Sequence, residues 1–361
     1  MSRSGLPHAV DERPWRVLVT GVSGFVGRHL IGRLRADFPA AILTGALRDP
    51  SIADRLPPGL DHTVALDLDA PNGLHALIAD VRPDAVIHLA AQSDVGMSFR
   101  QPVETWRTNL MGTAALGEAL LIAAPEAVLI FSSSGEVYGT SFQANVALGE
   151  DAIVAPANPY AASKAAADLA VAEMALRGLR TIRLRPFTHT GPGQAPRYAV
   201  AAFARQVARI EAGLQRPVVT TGALDRWRDI LDVRDVCRGY IATLETALNE
   251  PTRLAPGIAM NLCSGQSRRI GDILAELLEL AGVQAEIRQE PALVRTTDII
   301  RVQGLADRAI ALVGWSAPTL WSKTIADVLQ DWRGRCACVD RASADHRSHP
   351  RRTAIIGAQQ A

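Results

Sequence analysis

Arg16-Val17-Leu18-Val19-Thr20 is a short apolar run that breaks at Gly21, and an amphipathic stretch from Phe25 to Phe38 follows it. This pattern predicts a strand that turns tightly into a helix. Between the two lies Gly21-Val22-Ser23-Gly24-Phe25-Val26-Gly27. Its glycines permit the turn itself, the approach of a pyrophosphate to bare backbone, and close packing of helix on strand. A phosphate would sit at the helix N-terminus, against N–H groups with no helical partner and the positive end of the dipole. A glycine-rich turn can also be only a turn. The strand before it and the helix after it supply the context that nucleotide binding requires.

The alternation of apolar runs and helical stretches continues, which predicts an α/β fold built on a parallel sheet. Ala41 to Leu47 reads as the second strand, where an acidic residue would hydrogen-bond the ribose of NAD. Gly45 stands at that expected position and Arg48 follows. A guanidinium suits a 2′-phosphate, so the charge pattern favours NADPH, with NADH possible. His62 to Leu68, Ala85 to Ala91 and Val128 to Phe131 read as further strands. The last delivers Ser132-Ser133-Ser134-Gly135-Glu136-Val137-Tyr138-Gly139 to the carboxyl edge of the sheet, where sites of open parallel sheets lie. Downstream, Asn158-Pro159-Tyr160-Ala161-Ala162-Ser163-Lys164 opens a long alanine-rich helix and sets Tyr160 and Lys164 on one face. A lysine ammonium near a phenol favours the phenolate, which predicts a lowered Tyr160 pKa and a usable proton donor or acceptor.

A chain of 361 residues, 48% hydrophobic and 21% charged, can bury one large core or a core with a smaller lobe. Lys and Arg total 38 against 37 Asp and Glu, so charge gives no case for a nucleic-acid or membrane-surface partner. Cys237, Cys263, Cys336 and Cys338 lack zinc-site spacing, so no metal is expected. Reduced thiols point to a cytoplasmic location. Residues 1–14 read as a flexible lead-in and 334–361 as a disordered tail.

The Gly-x-x-Gly-x-x-Gly spacing resembles the short-chain dehydrogenase/reductase superfamily, in particular its extended branch. The resemblance implies a Rossmann-type domain over 15–189, its sheet completed by parts of 226–265, and a nucleotide-sugar-binding lobe formed mainly by 190–333. It implies that Gly21, Ser23, Gly24, Phe25, Val26 and Gly27 cradle the cofactor. Asp67 and Leu68 would lie beside the adenine, with Leu89, Ala90, Ala91 and Pro186 along the rest of the cofactor. Ser134, Tyr160 and Lys164 match the superfamily's catalytic set, with Tyr160 and Lys164 also contacting cofactor, and Asn109 matches an asparagine of structural or direct duty. Arg185-Pro186-Phe187-Thr188-His189-Thr190-Gly191-Pro192-Gly193-Gln194 closely resembles a signature of GDP-4-dehydro-6-deoxymannose reductases. With its neighbours, the match spans roughly Val17 to Arg333.

That resemblance implies reduction of the C4 ketone of a GDP-linked 4-keto-6-deoxy sugar, and a homodimer formed through the helices carrying Asn109 and Tyr160. Ser134, Glu136, Thr188, Gln206, Arg228 and Arg295 are its candidate substrate contacts. Thr188 stands where the reductases usually carry asparagine, and Leu293 replaces a common arginine. Glu136 occupies the position of the glutamate base of the related 4,6-dehydratases. The alternatives are therefore a nucleotide-sugar dehydratase or epimerase and, outside enzymes, an NAD(P)-sensing Rossmann protein.

Overall fold

A computed structural model of the chain describes residues 13–70, 73–293 and 299–348. Its first half runs β1 (Arg16–Thr20), α1 (Phe25–Asp37), β2 (Ile42–Leu47), β3 (His62–Ala65), α2 (Leu74–Val81), β4 (Ala85–His88), α3 (Val95–Arg100), α4 (Pro102–Trp106), α5 (Gly112–Ala123), β5 (Val128–Ser132), α6 (Pro159–Leu176) and β6 (Arg180–Pro186). The second half runs β7 (Thr188–Thr190), α7 (Ala199–Glu211), β8 (Val218–Thr221), β9 (Trp227–Asp232), α8 (Val233–Asn249), β10 (Ile258–Leu262), β11 (Ser267–Arg269), α9 (Ile270–Ala281), β12 (Glu286–Gln289), α10 (Asp307–Val313) and α11 (Trp321–Ser348).

Seven strands form one parallel sheet in the order β10-β6-β5-β4-β1-β2-β3. The strands read as continuous apolar runs because helices cover both faces. Leu30, Ile31 and Leu34 of α1 pack with Val236, Tyr240 and Leu244 of α8 on one face. Leu74 and Ile78 of α2, Leu116 and Leu120 of α5, and Val171 of α6 cover the other. The chain leaves β1 first towards β2 and β3, then returns to place β4 on the opposite side. This reversal opens a crevice at the carboxyl ends of β1 and β4, the place where such sheets bind ligands.

A second lobe holds a three-stranded sheet, β11-β9-β7, and a β8-β12 pair. Val207 of α7, Leu274 and Leu277 of α9, and Val328 and Leu329 of α11 share its core. The run 190–333 is thus divided. β10, within 226–265, pairs with β6 in the large sheet, while β9 pairs with β7 and β11.

The tail expected over 334–361 needs correction over 334–348, because α11 continues to Ser348, and 349–361 lie outside the described residues. Ile325, Val328, Leu329, Trp332 and Cys336 recur at helical spacing and are buried, so the apolar stripe carries the helix past Gly334. Arg13 pairs with Asp84, which anchors the end of the lead-in. Among the described residues, no helix is long and apolar enough to cross a membrane and no acidic, His and Cys group could hold a metal ion.

Candidate active site

The glycine turn has the shape its sequence requires. Gly21 has φ +70°, and a Cβ there would stand 2.7 Å from the Ala90 nitrogen. At Gly27 a Cβ would meet the Gly21 carbonyl oxygen at 2.5 Å, so helix and strand approach closely only with glycine. Gly24 caps α1 without a side-chain hydrogen bond, leaving Ser23, Phe25 and Val26 around a helix start suited to a phosphate. These residues fit the dinucleotide that the fold implies.

Beneath the turn, a buried polar chain fixes the loop after β4. Thr113 Oγ1 donates to the Asn109 carbonyl (2.7 Å) and so accepts from His88 Nε2 at 3.0 Å. His88 Nδ1 then accepts from Thr20 Oγ1 at 2.7 Å, and that hydroxyl accepts from the Ala90 N–H. Burial, with the nearby Lys164 charge, pushes His88 down to about 3 and keeps the imidazole neutral. Asn109 completes the support. It accepts from the Gln92 N–H, donates to the Gln92 carbonyl, and donates to Ser163 Oγ at 2.9 Å, tying the Leu89-Ala90-Ala91 loop to α6.

On the adenosine side, Gly45 is closely covered. This glycine lies within β2, where a Cβ would meet Leu60 Cδ1 at 2.7 Å, so an acid there could not reach a ribose without displacing Leu60. Arg48 stands just past the strand end, exposed, and pairs with Asp69 at 2.8 Å and Asp67 at 3.5 Å. Asp67 also accepts from the Asp69 N–H, a turn contact, whereas Leu68 is buried against Gly112.

At the carboxyl edge, β5 delivers Ser134 and the start of α6 delivers Tyr160. Asn158 caps α6 by accepting from the Ala161 N–H at 2.8 Å, and Pro159 occupies the first turn. The same Asn158 amide donates to Glu136 Oε2 at 3.1 Å, which places that carboxylate beside the helix start. Ser134 lies within hydrogen-bonding reach of the Tyr160 phenol, and Glu136 and Tyr198 are close enough to act on it electrostatically. Burial raises the Tyr160 pKa, outweighing the Ser134 contact. The expected lowering is thereby reversed: the phenol holds its proton at neutral pH.

Lys164 is buried, its ammonium 4.2 Å from the centre of the Phe131 ring. Burial pushes it down to about 7, against the Asp168 charge that raises it. Asp168, one helical turn on, accepts from Arg183 at 2.5 Å and from Arg185 at 2.9 and 3.0 Å. Pro186 ends β6 beside Leu262, and the signature that follows it crosses into the second lobe.

There, Thr188 is exposed on β7, beside β9, which carries Arg228. Arg228 donates to the Trp227 and Ile299 carbonyls, each at 2.8 Å. The amide of Gln206, a candidate substrate contact, accepts from the Thr220 N–H and donates to the Thr220 carbonyl, pinning β8 to α7. Leu293 is exposed, and Arg295 lies outside the described residues. Sequence reasoning missed Tyr198 and Ser93. Tyr198 acts electrostatically on Tyr160 and meets Ser93 across 105 residues of sequence, a relation that no local pattern announces.

Three comparisons bear on this site. Residues 17–261 match the NAD dependent epimerase/dehydratase family. The GDP-6-deoxy-D-mannose reductase of Pseudomonas aeruginosa is 36% identical over 322 residues, covering 89% of this chain and 98% of the relative. The GDP-6-deoxy-D-talose 4-dehydrogenase of Aggregatibacter actinomycetemcomitans is 27% identical, covering 83% and 91%. Among solved structures, that of RMD from Pseudomonas aeruginosa complexed with NADPH superposes with a TM-score of 0.75 at 35% identity, covering 89% of this chain and 98% of that one.

Proposed function

This chain belongs to the NAD dependent epimerase/dehydratase family, and from that premise we propose that it reduces the C4 ketone of GDP-4-dehydro-6-deoxy-D-mannose to GDP-D-rhamnose, preferring NADPH to NADH. The observation that carries this reading is the run Arg185–Gln194, supported by the 36% identity to a GDP-6-deoxy-D-mannose reductase over 89% of the chain. A reductase needs the Tyr160 phenol to begin as an acid, and a phenol that holds its proton is consistent with that role.

Gly21, Gly24 and Gly27, with the first turn of α1, hold the pyrophosphate. Arg48 faces the 2′-phosphate, releasing Asp67 and Asp69 to do so. A reduced nicotinamide held at the sheet edge supplies the hydride. The chain's own residues manage position and charge. Tyr160 gives its proton to the ketone oxygen, and Ser134 hydrogen-bonds that oxygen and stabilises the charge developing on it. Lys164 keeps a positive charge behind Tyr160 and contacts the nicotinamide ribose. Thr188, Arg228 and Arg295 form the nucleotide side of the cleft, where arginine forks suit a diphosphate.

Glu136 favours a second reading, a GDP-mannose 4,6-dehydratase, because its carboxylate lies beside Tyr160. The signature over 185–194 favours the reductase. Incubation with GDP-4-dehydro-6-deoxymannose and each cofactor, followed by product identification, separates them. Net NAD(P)H consumption that is slowed only modestly by Glu136→Gln supports the reductase. Rapid 4-keto formation from GDP-mannose, abolished by Glu136→Gln, would replace it with the dehydratase.

The chain is further proposed to act as a cytoplasmic homodimer. Phe99, Val103, Met111, Ile122, Leu169 and Leu176, on or between the helices around Asn109 and Tyr160, are exposed large apolar side chains. A monomer in sedimentation equilibrium at micromolar concentration would remove the dimer.

A further inference from the structure

Two hydroxyls meet across the mouth of the cleft. Ser93, from the loop after β4, and Tyr198, from the second lobe, lie 3.0 Å apart between side-chain oxygens and 105 residues apart in sequence. Each backbone is fixed by a helix start: Asp94 caps α3, accepting from the Met97 N–H, and Tyr198 immediately precedes α7. Beside them Arg197 and Asp94 form a looser pair at 3.8 Å, and the Arg197 guanidinium lies 5.0 Å from the centre of the Tyr198 ring.

The segment leading to Tyr198 is anchored at its far end. The Pro192 carbonyl and His29 Nε2 are 2.8 Å apart, and the Gly193 N–H donates to Asp331 of α11 at 3.0 Å. Gln194 donates to the His189 carbonyl and accepts from Thr190 Oγ1. Tyr198 therefore stands at the end of a braced loop, near enough to Tyr160 for the two phenols to interact.

We infer that Ser93 and Tyr198 form a clasp for the hexose ring, exchanging their mutual hydrogen bond for bonds to ring hydroxyls of a sugar seated beside Tyr160. A serine and a tyrosine hydroxyl can each donate and accept, as a sugar hydroxyl can. Neither offers the fixed positive charge that a phosphate needs, and the neighbouring arginine faces Asp94. The clasp thus reads the hexose and not the nucleotide. This rests on the proposal that the substrate is a nucleotide sugar, and its test is a binding measurement that needs no turnover.

Tyr198→Phe removes one oxygen and keeps the ring under Arg197, and Ser93→Ala alters an exposed side chain. Calorimetry on the NADPH-loaded enzyme compares GDP-mannose with GDP. Each variant is expected to weaken GDP-mannose by roughly 3- to 10-fold, the range of one lost hydrogen bond, while leaving GDP and the melting temperature unmoved. Unchanged GDP-mannose binding in both variants, or an equal loss for GDP, overturns the clasp. Variants that show this split, with a wild-type enzyme that oxidises no NADPH with the 4-keto sugar, overturn the reaction proposed above and support the clasp.

Discussion

At the scale of single residues, the site rests on where protons and charges are held. Tyr160→Phe removes only the phenolic oxygen, so cofactor binding should persist while turnover falls by roughly 100- to 10,000-fold, the usual worth of a positioned acid. Parent-level turnover in that variant would assign the proton to another group. The pH dependence should follow Lys164 and not Tyr160. The Tyr160 phenol keeps its proton through neutrality, whereas Lys164, lowered to about 7 by burial, is charged below that pH and neutral above it. The profile of kcat/KM for reduction should therefore decline as pH rises through about 7, and a profile flat from pH 6 to 9 would take Lys164 out of the reaction. Arg48→Ala tests the cofactor preference. It should raise KM for NADPH more than for NADH, since only NADPH carries the 2′-phosphate, and equal losses would leave Arg48 to its pairing with Asp67 and Asp69.

Elements determine which of these residues could be recognised before the fold was known. The glycine turn, the serines after β5 and the Tyr160–Lys164 pair are local patterns, each set within one strand end or one helical turn, and sequence periodicity carries that information. The surroundings of Gly45 and Gln206 were not legible because they are not local: Leu60 fills the space above one, and Thr220 uses the amide of the other. The pKa of Tyr160 misled for a related reason, since a lysine at helical spacing was visible and the burial of the phenol was not. α11 is the clearest case. Among the described side chains beyond Gly334, Cys336 extends the apolar stripe, and polar support comes from remote partners. Arg335 pairs with Asp331 and reaches the Gln194 carbonyl at 3.4 Å, and Asp331 accepts from the Gly193 N–H. Truncation after Arg333 should therefore lower the melting temperature by roughly 1–3 °C, about what 1–2 kcal/mol produces in a protein of 361 residues, and raise KM for the nucleotide sugar. A truncated protein with unaltered melting and KM would show that α11 does not brace the signature loop.

Across the whole molecule, the proposed catalytic groups come from the large sheet and α6, while the proposed selecting groups come from both parts, Ser93 from the loop after β4 and Tyr198 from the second lobe. β10 and α8 return from the second half of the chain to the large sheet, which binds the two parts into one structure around the cleft. The Ser93–Tyr198 contact joins the two parts, and Tyr198 lies close enough to Tyr160 to act on it electrostatically. The most direct measurement of the central claim is a single-turnover reaction of the enzyme with NADPH deuterated on its transferable position and GDP-4-dehydro-6-deoxymannose, the product being read by NMR and mass spectrometry. The expected result is one NADPH oxidised per sugar reduced, with deuterium at C4 of GDP-D-rhamnose. A 4-keto sugar left unreduced with NADPH unconsumed, or deuterium at any carbon other than C4, would contradict it.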